Sequence, residues 1–122
     1  MDFDKFAEEM FKREPKLRYV GVVDNFRVVL SRMREGIQSL TTDQEEERFV
    51  QLMPPIIVDA VEKMQPMLGK LNTVTVRYEN LLLVFFRMQG LTVIFSFNPE
   101  VSTPFISTLS DEVLKLGAAY LT

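Results

Sequence analysis

The chain has 122 residues and a mass of 14.1 kDa, the size of one ordinary domain. An apolar fraction of 47% against 25% charged residues excludes wholesale disorder. Cysteine and histidine are both absent, which removes thiol nucleophiles, disulfides, Cys/His zinc sites and imidazole acid–base chemistry.

The first predicted element is a helix over 2–13, where Phe3, Phe6, Ala7, Met10 and Phe11 share one face. Asp2 caps its start and Pro15 closes it. Leu17 to Val23 reads as a strand, Asp24-Asn25 as a turn, and Phe26 to Met33 as the second strand of a hairpin. Residues 34–41 are a loop containing Gly36.

The longest element follows. Thr42 with Glu45 three residues later is a capping-box pattern. Apolar residues then recur at Phe49, Val50, Met53, Ile56, Ile57, Ala60, Val61, Met64 and Leu68. Pro54-Pro55 falls inside this run and predicts a bend near Met53, or two abutting helices with Pro54 in the first turn of the second. Pro66 and Gly69 are expected to end the helix.

Three strands come next, at Thr73 to Tyr78, Leu81 to Met88 and Leu91 to Phe97, joined by tight turns at Glu79-Asn80 and Gln89-Gly90. Thr103-Pro104 opens a last helix whose apolar face carries Phe105, Ile106, Leu109, Val113 and Leu116; Gly117 is expected to end or fray it. The order is α-ββ-α-βββ-α. No repeat or linker divides it, so residues 1–122 read as a single domain.

Strands covered on both faces read as continuous apolar runs, and strands covered on one face alternate. Leu81–Met88 and Leu91–Phe97 are of the first kind; Thr73–Tyr78 is of the second and behaves as an edge. An α+β sandwich satisfies this pattern: a five-stranded antiparallel sheet with the long helix on one face and the two terminal helices on the other. The apolar positions of the long helix, from Leu52 to Val61, fill about half its circumference, more than the roughly 100° that a core-facing stripe needs. Either the prolines shift the phase of its second half, or the excess is a partner surface beside the uncovered strand edge.

Net charge is −3 and the pI near 5.0, with the densest charge run acidic at Glu45, Glu46 and Glu47. Nucleic acid and anionic membrane surfaces are therefore disfavoured as partners. The longest apolar run, Leu81 to Phe86, is too short to cross a bilayer. The N-terminal Met-Asp-Phe-Asp-Lys carries acids where a signal peptide is basic, which reads as a cytoplasmic protein.

Catalytic machinery is hard to assemble. The carboxylates of Glu8-Glu9 and of Asp43 to Glu47 sit on solvated helix surfaces, and no serine has a base to activate it. The glycines stand singly, so no phosphate-cradling loop forms. No catalytic residue, metal ligand or cofactor site is assigned. Arg34-Glu35-Gly36 reads either as a solvated turn or as a charge-pairing contact with a partner. Arg87, interrupting an apolar strand, is expected to pair with an acid or to snorkel to the sheet edge. Met53, Met64 and Met67 suit core filling and adaptable binding surfaces alike.

The element order, together with Gly21, Asp24, Met33, Arg34, Glu35 and Gly36, resembles the Roadblock/dynein-light-chain-type fold of the longin and profilin-like group. The stretch Lys16 to Arg34 resembles the start of a divergent, uncharacterised archaeal family of that group. The resemblance implies a non-enzymatic homodimeric scaffold in which third strands pair across a two-fold axis and second helices pack together. It also implies a small GTPase or another protein as partner. The implied interface is Ile57, Val61 and Met64 of the helix with Thr73, Val74, Thr75, Val76, Arg77 and Tyr78 of the strand. The alternative is a monomeric small-molecule sensor of profilin-like or PAS-like outline, with Phe85, Phe86, Phe95 and Phe97 lining its pocket.

Overall fold

In the computed structural model every residue except Thr42 is described, and Asp43, Glu46 and Glu47 by their backbone only. Helix α1 spans Phe3–Arg13. The Asp2 carboxylate accepts the Lys5 N–H at 3.0 Å, and Phe6, Ala7 and Met10 are buried. Strand β1 covers Tyr19–Asp24 and β2 Arg27–Met33. Their turn lies one residue later than Asp24-Asn25: Asp24 and Arg27 form the last rung, and Asn25-Phe26 makes the connection. Asn25 takes the left-handed conformation, φ 56°, which asparagine tolerates better than most side chains. Between the rungs Val22–Leu30 and Val23–Val28, β2 carries Val29 as an extra residue, a β-bulge.

The long helical stretch does not break at its prolines. Helix α2, Asp43–Met53, passes directly into a π-helical turn, Pro54–Val58, and then into α3, Asp59–Glu62. Met53 keeps helical angles, φ −61° and ψ −45°, and the Asp59 N–H reaches back five residues to the Pro54 carbonyl. A proline ring presses on the carbonyl four residues before it and offers no N–H. A wider turn relieves that pressure without abandoning the helix. Thr42, the predicted cap paired with Glu45, lies outside the described residues. Pro66 does not terminate the element; it sits in the first turn of a further short helix, α4, Gln65–Leu68, which Gly69 ends at φ 90°.

Strands β3 (Thr73–Arg77), β4 (Leu82–Met88) and β5 (Leu91–Phe97) complete one antiparallel sheet of order β2-β1-β5-β4-β3. Helix α5, Thr103–Tyr120, starts at Ser102, whose hydroxyl accepts the Phe105 N–H. Gly117 neither ends nor frays it. It is buried within the last turns, where an added Cβ would stand 2.4 Å from the Met88 sulfur.

The expected layers are all present. Helices α1 and α5 cover one face over Val20, Val22, Val84, Phe86, Val93 and Phe95. They join each other through Asp2 N–H to the Tyr120 carbonyl and Arg13 to Glu112. On the other face Val50 and Val58 pack on Tyr19, Val23, Leu83, Phe85 and Ile94. Strands β1, β5 and β4 are interior; β2 and β3 are the edges.

Candidate functional site

The two sheet edges are built differently. β2 has its bulge, and Arg27, Ser31 and Arg32 are exposed along it. Bulges and edge charges are devices that discourage another strand from pairing. β3 has neither a bulge in its register nor, among the described residues, a strand on its outer side. The Tyr78 N–H donates to the Leu81 carbonyl at 2.7 Å. Antiparallel alternation then makes Val76–Leu83 and Val74–Phe85 the hydrogen-bonded rungs. It turns the backbone N–H and C=O of Thr73, Thr75 and Arg77 outward. Val74 and Val76 are half-buried in the cluster that contains Val58 and Phe85, so the open edge adjoins the long helical stretch.

That stretch exposes much of its apolar surface. Leu52, Ile56, Val61 and Met64 are between 44% and 64% exposed, and Met67 and Leu68 73% and 77%. Of the helix positions singled out from the sequence, Val61 and Met64 are exposed and Ile57 is half-buried. Ile56 and Leu68 of the apolar repeat, Leu52 at the start of the over-wide arc and Met67, weighed between core and binding surface, are also exposed but lie outside the implied interface set. The π turn changes the phase between α2 and α3, so a helical wheel of constant pitch cannot assign Ile56 and Ile57 to their faces. The paired prolines are the signal of that change. On the strand, Thr75, Arg77 and Tyr78 are exposed, and Thr73, Val74 and Val76 half-buried.

Arg34, Glu35 and Gly36 separate in the structure. The Arg34 guanidinium donates to the carbonyls of Phe11, Glu14 and Leu17 at 2.9, 2.7 and 2.7 Å and lies 5.0 Å from the Phe11 ring centroid. It therefore satisfies carbonyls where α1 ends and in the segment after it, and ties them to the end of β2. Glu35 and Gly36 stay at the surface. The Arg77 guanidinium is likewise engaged within the chain, by the carbonyls of Pro99 and Val101. Arg87 pairs with acids, as expected: Asp59 and Glu62, both of α3, flank it.

The four phenylalanines considered as a pocket lining do not converge. Phe85 belongs to the helix-α2 side, whereas Phe86, Phe95 and Phe97 lie on the other. There Phe86 and Phe95 meet edge-to-face at 5.6 Å and Phe97 meets Phe105 at 5.5 Å, filling core volume. An open groove of about 510 Å³ between β3 and α5 touches only Phe86 of the four. Among the described residues no group of three or more carboxylates is placed to hold a metal, and no helix is long and apolar enough to cross a membrane.

No protein-family model and no curated protein matches the sequence. Solved structures do match the fold. A Roadblock/LC7 domain from Streptomyces avermitilis superposes with a TM-score of 0.73 at 12% identity, over 99% of this chain and 98% of that one. MglB of Myxococcus xanthus gives 0.65 at 14% identity, over 98% and 99%. An MglB in a tetrameric arrangement gives 0.69 at 10% identity, over 91% and 83%. The chain thus has the Roadblock-type fold that its element order resembles.

Proposed function

We propose that this protein is a non-enzymatic interaction module that pairs with a second copy of itself through β3 and the apolar face of the long helical stretch. The paired sheet then serves as a platform for a small GTPase or another protein partner in the cytoplasm. The observation that carries this reading is the open β3 edge, whose Val74 and Val76 share a cluster with Val58, on a chain whose same helical stretch exposes Ile56, Val61 and Met64. An outward row of unpaired backbone groups and an adjoining apolar patch are both relieved by one two-fold contact. The fold likeness to MglB, one example of which is tetrameric, supports self-association. The Roadblock-type resemblance is what suggests a GTPase. The chain offers no histidine or cysteine for catalysis.

Light scattering coupled to size exclusion tests the first half: a dimer is expected at tens of micromolar, and a monomer throughout that range would overturn the pairing. Binding of purified small GTPases from the same genome, loaded with GDP or a non-hydrolysable GTP analogue, tests the second. Saturable binding that differs between the two nucleotides is expected. No binding to any of them removes the GTPase and leaves the scaffold.

A further inference from the structure

The part of the helical stretch that carries Val61 and Met64 has little hold on the sheet by burial. Val58 is the last buried residue of the π turn, and neither α3 nor α4 contains a buried residue. Continuity with the π turn keeps α3 helical, but with no buried residue of its own its seat against the sheet must come from something other than burial.

Arg87 is placed to do this. It stands on β4 directly after the apolar run Leu82–Phe86, and its side chain is 19% exposed. Its Nη1 donates to the hydroxyl of Thr92, its cross-strand neighbour on β5, at 2.6 Å. Its Nε donates to Glu62 at 2.8 Å, and its Nη2 to the Asp59 carboxylate. Asp59 and Glu62 are three residues apart and share a face of α3. The guanidinium therefore has one arm fixed to the sheet and two on the helix, an arrangement that a planar fork supports and a point charge does not. Among the described residues these are the only side-chain hydrogen bonds between α3 and the sheet.

We infer that Arg87 is a positioning residue for the self-association surface, holding α3 on the sheet by charge so that Val61 and Met64 are presented in one orientation. This rests on the pairing proposed above. A surface fixed before binding loses less freedom on association than one that must be ordered at the moment of contact. Val61 and Met64 are 44% exposed each, so their own burial cannot supply that order in the free chain.

The test uses Arg87→Met, which keeps the aliphatic stem and drops the donors, and the double variant Asp59→Asn/Glu62→Gln, which leaves the sheet untouched. Arg87→Lys keeps the charge without the fork and is expected to fall between wild type and Arg87→Met. Hydrogen exchange by mass spectrometry, at dilutions where the chain is monomeric, reads residues 59–68 independently of pairing. Exchange there is expected to accelerate about tenfold in both main variants, with residues 82–97 unchanged, and the dimer dissociation constant to rise about three- to tenfold. Unchanged exchange in 59–68, equal acceleration in 82–97, or a dimer constant that does not move would each overturn the inference. A wild-type chain that is monomeric at every concentration instead overturns the pairing, and the exchange arm still decides whether Arg87 holds α3.

Discussion

Proline at position 75 separates the two sides of β3. Thr75 is the middle residue of Thr73–Arg77, is exposed, and by the alternation set by the Tyr78–Leu81 bond turns its N–H away from β4. Thr75→Pro therefore removes no bond of the β3–β4 ladder, and proline is accepted on an edge strand when its missing donor faces outward. In a two-fold pairing centred on Thr75, the same change removes two donors at once, one from each copy. At about 0.5–1.5 kcal/mol per bond the loss is about 1–3 kcal/mol, or roughly 5- to 150-fold in the dimer dissociation constant. The ring adds bulk where the partner strand must approach to about 4.8 Å. Val76→Pro supplies the contrast, because its N–H faces Leu83 and its loss should destabilise the folded chain itself. Sedimentation equilibrium gives the dimer constant and thermal melting gives the stability. A folded Thr75→Pro chain that dimerises as tightly as wild type refutes the pairing through this edge. If Thr75→Pro and Val76→Pro lower the melting temperature equally, the assignment of inward and outward donors is wrong.

Three further outcomes are expected. Gly21→Ala places a Cβ 2.6 Å from the Tyr19 hydroxyl and 2.9 Å from its ring, displacing a side chain bonded to Ser31 at 2.9 Å. The cost should be about 1–3 kcal/mol and largely vanish in a Tyr19→Ala background; equal costs in both backgrounds would refute the clash. Arg34→Met removes one donor from each of three carbonyls near the end of α1, of which Glu14 keeps the Leu17 N–H, and should lower stability by about 2 kcal/mol in urea titration, with amides of α1 exchanging fastest; an unchanged midpoint would count against the clamp. Replacing Pro54 and Pro55 together by alanine should remove the π turn, strengthen the helical circular dichroism signal and stabilise the chain by about 1 kcal/mol. The same change should weaken dimerisation by rotating Val61 and Met64 out of register, and an unaltered dimer constant would sink that account.

Much of the architecture was legible because burial on two faces and burial on one leave different periods in the sequence. Leu81–Met88 and Leu91–Phe97 read as interior strands for that reason, and Thr73–Tyr78 as an edge. The misplaced hairpin turn has a local cause: Asn25 rather than a glycine takes the left-handed position, so no glycine in the sequence marks which two residues connect the strands. The π turn is a different case: Pro54 does open a new helical segment directly after Met53, as one of the two alternatives has it, but its π form is not written in the sequence. Two prolines announce a disturbance, but whether the chain breaks or widens depends on the sheet holding both halves, and that choice decides how Ile56 and Ile57 are shared between surface and core. Arg34 was weighed as a solvated turn or a partner contact because its true partners, the carbonyls near the end of α1, lie 17 to 23 positions earlier and follow no spacing. Arg87 was conspicuous by its strand, yet its acids are 25 and 28 positions away. Gly117 shows the same limit, since only the approach of Met88 gives a glycine a purpose inside a helix.

The bulge at Val29 has a consequence for the number of copies that can join. A sheet that accepts neighbours at both ends is a bivalent monomer, and nothing stops its growth into a fibril. Here one end is kinked and carries Arg27 and Arg32, so under the proposed pairing a chain would have a valence of one, which the first β3 contact would use up. On that reading the inserted valine would act as a terminator, setting the assembly's size limit from the side of the sheet that takes no part in the contact.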